Sequence, residues 1–97
     1  MSDRRAVTVR IAGEEHAIRS SAPAEYTRRC ARLVDDRITE IRRRSTLVEG
    51  HRAAILAALS ITDEFFQAQE ELRELRMQVA ERAGALTTRI DEALPDD

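Results

Sequence analysis

Apolar positions along this chain follow three patterns in succession. Val7-Thr8-Val9-Arg10-Ile11 alternates apolar with polar and is rich in β-branched residues, which predicts a half-buried strand. Ala12-Gly13-Glu14-Glu15 follows, and Gly13 suits the first central position of a two-residue type II′ turn. That turn pairs Ile11 with His16, Val9 with Ile18 and Val7 with Ser20. Val7, Val9, Ile11, His16 and Ile18 then share one face, with Thr8, Arg10, Ala17 and Arg19 on the other. A two-stranded hairpin is marginal by itself in water, so the apolar face requires a helix against it.

The second pattern is helical. Pro23 suits the first turn of a helix and Glu25 complements its positive end. From there to about Arg44, Tyr26, Cys30, Leu33, Val34, Ile38 and Ile41 recur at helical spacing as the face to be buried. Glu25 with Arg29 and Glu40 with Arg44 form supporting i,i+4 pairs. Ser45 to Gly50 is a short connection. Thr46 with Glu49 has the form of a capping box that starts the next helix near Leu47, and Gly50 offers a second start at His51.

The third pattern runs from about Thr46 to Leu94 and predicts one helix of roughly 65–75 Å. Between Ala53 and Phe66 it is apolar almost all the way round, and this half is expected to pack on the hairpin. From Ala58 onward, Ala58, Ile61, Phe65, Ala68, Leu72, Leu75 and Val79 alternate steps of three and four, the heptad of a coiled-coil seam. Ala83, Leu86, Ile90 and Leu94 continue it at a period nearer eleven residues, which straightens the supercoil or reverses its hand. No other part of the chain is long enough to cover this stripe, so a second copy or a partner helix is expected to; a partly frayed amphipathic tail is the alternative. Ala58, Ile61, Phe65, Leu72, Leu75, Val79, Leu86 and Ile90 are therefore the expected oligomerisation contacts. Gly84 weakens the helix and Pro95 ends it. Met1 to Arg5 is expected to be disordered.

The fold class that follows is α+β: a small ββα head packed on the base of a long C-terminal coiled-coil helix. The expected division is residues 1–45 for the head and 46–97 for the long helix, whose base completes the head. Composition agrees, since charged residues make up 35% of the chain and aromatics 3%, too few large apolar groups for a compact core of this length. The net charge of −2 hides an asymmetry: residues 1–50 carry eleven Arg against eight acids, residues 51–97 five Arg against ten. A lone Cys30 excludes an intrachain disulfide. No stretch has the organisation of a signal peptide or the length of a membrane span, so a cytoplasmic protein is expected.

Candidate chemistry is sparse. His16, His51 and Cys30 have no partner at metal-ligand spacing, and His16 reads as a half-buried hairpin residue. Asp35-Asp36 and Glu70-Glu71 point about 100° apart on a helix and read as solvated surface. Cys30 lies on the apolar stripe and reads as core. Gly13, Gly50 and Gly84 stand alone, so no phosphate-binding loop exists. The expectation is no catalytic residue, no metal and no cofactor.

Arginine is the informative residue. Arg28, Arg29, Arg32, Arg42, Arg43 and Arg44 lie off the apolar stripe of the 23–44 helix. Arg42, Arg43 and Arg44 at its C-terminus compensate the helix dipole on one reading. On the other, with Arg28 and Arg32, they form a basic patch for an acidic partner. Nucleic acid is disfavoured as that partner, since no aromatic is interleaved and the total charge is negative.

Three stretches resemble one known family. Val-x-Val-x-Ile-x-Gly at 7–13, Ile38-Thr39-Glu40-Ile41-Arg42, and above all Ala54-Ile55-Leu56-Ala57-Ala58-Leu59-Ser60-Ile61-Thr62-Asp63-Glu64 are similar to the ZapA family of bacterial cell-division proteins. The resemblance spans residues 7 to about 90. It implies a small αβ head that dimerises, a stalk that pairs dimers into antiparallel tetramers, and cross-linking of filaments of the tubulin-like protein FtsZ in the division ring. It also implies that Arg42 and Arg44 are filament contacts. The chain departs from the family's pattern at Glu14 and Glu15, where basic residues are common, at His16, and at Ser60, where Asn is usual. The expected function is a non-enzymatic cross-linker working through avidity. A coiled-coil adaptor for another acidic partner and a nucleic-acid-binding dimer are the alternatives.

Overall fold

The computed structural model describes residues 5–93. Leu94 and Pro95, the expected helix stop, and Met1–Arg4 lie outside the described residues. The order is β1 (Arg5–Ile11), β2 (Glu14–Ser20), α1 (Ala24–Arg44) and α2 (Gly50–Ala93). Arg5, placed in the disordered arm by the sequence, opens β1 opposite Ser20.

β1 and β2 form an antiparallel hairpin in a register that differs from the expected one by two residues. Val7 faces Ile18, Val9 faces His16 and Ile11 faces Glu14. The turn residues are Ala12 and Gly13, both with positive φ (54° and 79°). Two consecutive positive φ values mark a type I′ turn, whose twist matches the flanking strands, in place of the type II′ turn expected from Gly13. A slip of two residues leaves every side chain on its original face, because strands alternate with period two. Val7 and Val9 are accordingly buried, Ile11 half-buried, and Thr8, Arg10, Ala17 and Arg19 exposed. β2 contributes less cover than expected: Ile18 is 40% exposed and His16 is exposed as well.

α1 begins behind Pro23, whose carbonyl accepts from Thr27 N at 3.1 Å, and ends where Ser45 N donates to Ile41 O at 3.1 Å. Its covered face is Thr27, Ala31, Val34, Ile38 and Ile41. The expected face was rotated by roughly 50° from this one, at 100° per residue. Tyr26, Cys30 and Leu33, assigned to the core, are exposed. The cause is size: Ala31, with Val7 and Val9, forms one small buried cluster, and a short side chain there lets the helix sit close to the hairpin. Asp35, read as solvated, has a structural task. Its carboxylate Oδ1 accepts from Ala12 N at 2.8 Å and ties α1 to the left-handed hairpin turn. Glu25 pairs with Arg28 at 3.6 Å, one residue short of the expected Arg29, and Glu40 pairs with Arg44 at 2.9 Å as expected.

α2 starts at Gly50, close to the second of the two expected starts. The capping-box reading near Leu47 does not hold: Leu47 lies in a turn and is 95% exposed, and the first intrahelical bond runs from Ala53 N to Glu49 O. Ala53 and Ala57 are both 0% exposed and form the second buried cluster with Ile38, flanked by Ile11, Val34, Ile41 and Val48. These positions are i and i+4, so two methyl-sized side chains present a flat strip on which Ile38 lies. Of the Ala53–Phe66 run expected to pack on the hairpin, these two are buried; Phe65 and Phe66 are exposed. Arg37 Nη1 donates to Ser60 Oγ at 2.7 Å, adding a polar link between α1 and α2.

By contact density the chain divides between Ile61 and Thr62 into two compact units. The second unit is helical as far as Ala93. Within it, Glu70 and Arg73 pair at 2.6 Å; the hydrogen bond from Arg73, and then its charge, hold the Glu70 carboxyl below its ordinary range.

Candidate functional site

Both candidate surfaces are built from side chains the chain itself does not cover. The first is apolar. Leu72, Leu75, Val79, Leu86 and Ile90, placed on one seam by their spacing, are each about half exposed, with Phe65 beside them. Ala58 is exposed and Ile61 half-buried. Within the first unit, Val9, Ile11, Ile18, Cys30 and Val34 line an apolar groove of about 190 Å³, next to exposed Tyr26 and Leu33. The sequence pattern does not reveal this groove, because its apolar residues read as core.

The second surface is basic and belongs to α1. Helical geometry divides the five arginines between two sides of α1: Arg28, Arg32, Arg42 and Arg43 within about 100° of arc, and Arg44 opposite. Arg28, Arg32 and Arg43 fall along one side, Arg28 paired with Glu25. Arg44 lies about 160° from Arg28, held against Glu40. Arg42 is one turn beyond Ile38 and lines a concavity of about 440 Å³ together with Ile11, Ala12, Glu14, His16, Ile38, Gly50, His51 and Ala54. Arg42 and Arg44 are thus about 160° apart round the helix, although both belong to its last turn. His16 and His51, which spacing left as unrelated residues, face the same concavity. Only the meeting of β2, α1 and α2 brings them together, so no local signal in the sequence reveals it.

Among the described residues no group of three His, Cys, Asp or Glu side chains is placed to hold a metal ion. No helix among them is long and apolar enough to cross a membrane.

A family model described as Cell division protein ZapA matches residues 7–92. The chain belongs to the ZapA family. A relative from Pseudomonas aeruginosa, also named Cell division protein ZapA, is 30% identical over 95 residues, covering 97% of this chain and 91% of the relative. One from Bacillus licheniformis with the same name is 29% identical over 75 residues, covering 77% and 88%. Among solved structures, the fold is similar to a Pseudomonas aeruginosa PAO1 protein titled as an unknown conserved bacterial protein, with a TM-score of 0.71, 30% identity, and coverage of 91% of this chain and 98% of the other. It is also similar to a ZapA mutant dimer from Geobacillus stearothermophilus, with a TM-score of 0.66, 28% identity, and coverage of 82% and 93%. The two-stranded sheet, shorter helix and long C-terminal helix are the fold shared with the ZapA mutant dimer.

Proposed function

We propose that this chain is a non-enzymatic cell-division protein that binds FtsZ filaments and cross-links them at the mid-cell division ring in the cytoplasm. The observation that carries this reading is the family match across residues 7–92. Two features of the chain support it. The apolar stripe from Phe65 to Ile90 is uncovered within one copy, and one of the similar solved structures is a ZapA mutant dimer. Self-association as a homodimer or homotetramer would cover that stripe and multiply the number of binding surfaces per particle. Arg42, Arg43 and Arg44, with Arg28 and Arg32, supply basic side chains for an acidic filament, Arg44 from the opposite side of α1 to the other four. Single exposed ion pairs contribute about 0–1 kcal/mol each and are screened by salt, so the binding rests on several weak contacts made at once.

Co-sedimentation with FtsZ polymers at two ionic strengths, with thermal melting of the same samples, tests this. The wild-type chain pellets with filaments, bundles them, and loses affinity as salt rises. Arg42→Glu with Arg44→Glu abolishes binding while oligomeric state is unchanged. If these arginines serve only the helix dipole, the double reversal lowers the melting temperature and leaves affinity of the folded fraction intact. A folded double variant that still binds removes both residues from the site.

A further inference from the structure

Leu47 stands apart from the other exposed apolar side chains. It keeps 95% of its surface, and no other large apolar side chain among the described residues exceeds 62%. The others lie in β2, α1 or α2; Leu47 lies in the turn between α1 and α2. That turn is held at both ends. Ser45 N donates to Ile41 O at 3.1 Å, Val48 N to Ser45 O at 3.3 Å and Ala53 N to Glu49 O at 2.8 Å. Val48, the next residue, packs against the buried cluster of Ile38, Ala53 and Ala57. Leu47 is therefore presented to solvent from a fixed backbone, and burying it against a partner orders little else. Around it the charge is positive. Arg42, Arg43, Arg44 and Arg52, all exposed, stand against Glu40, which is bound to Arg44, and Glu49. Glu14 shares a concavity with Arg42, and counting it still leaves four arginines against three glutamates. Asp35 and Asp36 lie about two turns back along α1, and Asp35 is bound to Ala12 N.

We infer that Leu47 is the apolar anchor of the filament contact: it enters an apolar notch in the filament surface, while the arginines flanking it meet carboxylates at the rim of that notch. The inference rests on the reading under Proposed function and adds to it an uncharged residue. A large apolar side chain flanked by arginines has the composition of a protein–protein hot spot, in which a buried anchor supplies affinity and the charges around it exclude water and select the partner. A nucleic-acid backbone offers nothing that buries a leucine, and a lipid surface is bound through a whole apolar helix face, where this turn has one side chain. A second copy is disfavoured by symmetry. In a two-fold contact the turn meets its own equivalent, and two sets of arginines of the same positive balance are brought together.

The test is co-sedimentation of the full chain with FtsZ filaments at low and high ionic strength, comparing wild type, Leu47→Ser and Leu47→Met. Burial of a leucine side chain corresponds to a factor of about ten or more in affinity, so Leu47→Ser should bind at least about tenfold more weakly at both ionic strengths. Leu47→Met keeps the apolar volume and should bind within about threefold of wild type. No charge is removed, so the salt dependence of Leu47→Ser should match that of wild type, whereas Arg42→Glu with Arg44→Glu flattens it. The melting temperature should not fall, since Leu47 belongs to neither buried cluster. If wild type pellets with filaments and Leu47→Ser pellets equally well, the inference is overturned and the arginine surface stands. A smaller particle for Leu47→Ser in sedimentation equilibrium assigns Leu47 to a contact between copies and overturns it too. Loss of binding to phosphatidylglycerol vesicles, with filament binding intact, assigns it to a lipid surface with the same result. If wild type does not pellet with filaments at either ionic strength, the reading under Proposed function falls and this inference falls with it.

Discussion

Residues 5–61 and 62–93 both carry periodic apolar residues and use them to opposite ends. In the first unit, Val7, Val9, Ala31, Ile38, Ala53 and Ala57 are buried by other elements of the same chain. In the second, every described residue is exposed, including Leu72, Leu75, Val79, Leu86 and Ile90. The difference is one of cover: a stripe meets its partner inside the chain only where the chain turns back on itself. The first unit is itself thin, since no large side chain in it is fully buried. Small domains with so little core depend on association for stability. The groove around Ile18 and Cys30 leaves further apolar surface of the first unit uncovered.

Leu75→Asp attacks the uncovered stripe and has the largest expected effect. A charge left unpaired in a desolvated seam costs several kcal/mol, on the order of 3–5 for a broken buried pair. Sedimentation equilibrium should show a smaller particle. The rise of melting temperature with protein concentration, expected of the wild type by mass action, should weaken. An unchanged particle size would place the seam on another face. The secondary structure of residues 5–61 should survive, since none of its buried clusters includes Leu75.

Ala57→Leu attacks the first unit instead. Ala57 has no exposed surface and packs with Ile38, so three added carbon atoms overfill the space between α1 and α2. The expected loss is about 1–3 kcal/mol, read from denaturant unfolding at fixed protein concentration. A neutral result would mean that α2 moves away from α1 at little cost.

Ala12→Asn should stabilise. A non-glycine residue at φ 54° is strained, and Asn-Gly is the preferred pair for a type I′ turn. The backbone N–H at this position still donates to Asp35, so the gain is about 0.5–1 kcal/mol, a part of the left-handed penalty that Asn tolerates better than Ala. Loss of stability would show that the Asn side chain competes for the Asp35 contact.

The smallest effect belongs to the Glu70–Arg73 pair. Hydrogen bonding and charge from Arg73 lower the Glu70 pKa from 4.5. A carboxylate lowered on folding contributes above its unfolded value and loses that contribution as pH falls through the folded one. Stability from this pair is therefore present at neutral pH and fades below pH 4.5. Melting curves of Glu70→Gln should lie slightly below the wild type at pH 7 and converge with it in acid. Both groups are fully exposed, so the difference at pH 7 is small.

Much of the fold was legible because alternation with period two and recurrence at three and four residues are local properties. They located two strands, both helices and the uncovered stripe, and the block from Ala54 to Glu64 carried the family. The hairpin register was not legible. Slipping by two leaves the same face apolar, and the choice rests on left-handed Ala12 and on Asp35, twenty-three residues away. Nor was the rotation of α1, since Tyr26, Cys30 and Leu33 look as apolar as the face that is covered, while Ala31 gives little signal in a pattern. Arg42 stood out by charge, but its separation from Arg44 by helical rotation and its meeting with His16 and His51 did not.

By itself, then, the sequence determined which segments become strand or helix and that the long helix carries an apolar stripe with no cover in its own chain, because these follow from the order of apolar residues along a single strand or helix. Tertiary structure decided which apolar face of α1 is covered, which carboxylate ties the turn, and which ionisable groups share a concavity. Those choices depend on how closely small residues such as Ala31, Ala53 and Ala57 let neighbouring elements approach, and distances between elements are not written in the spacing of residues within one.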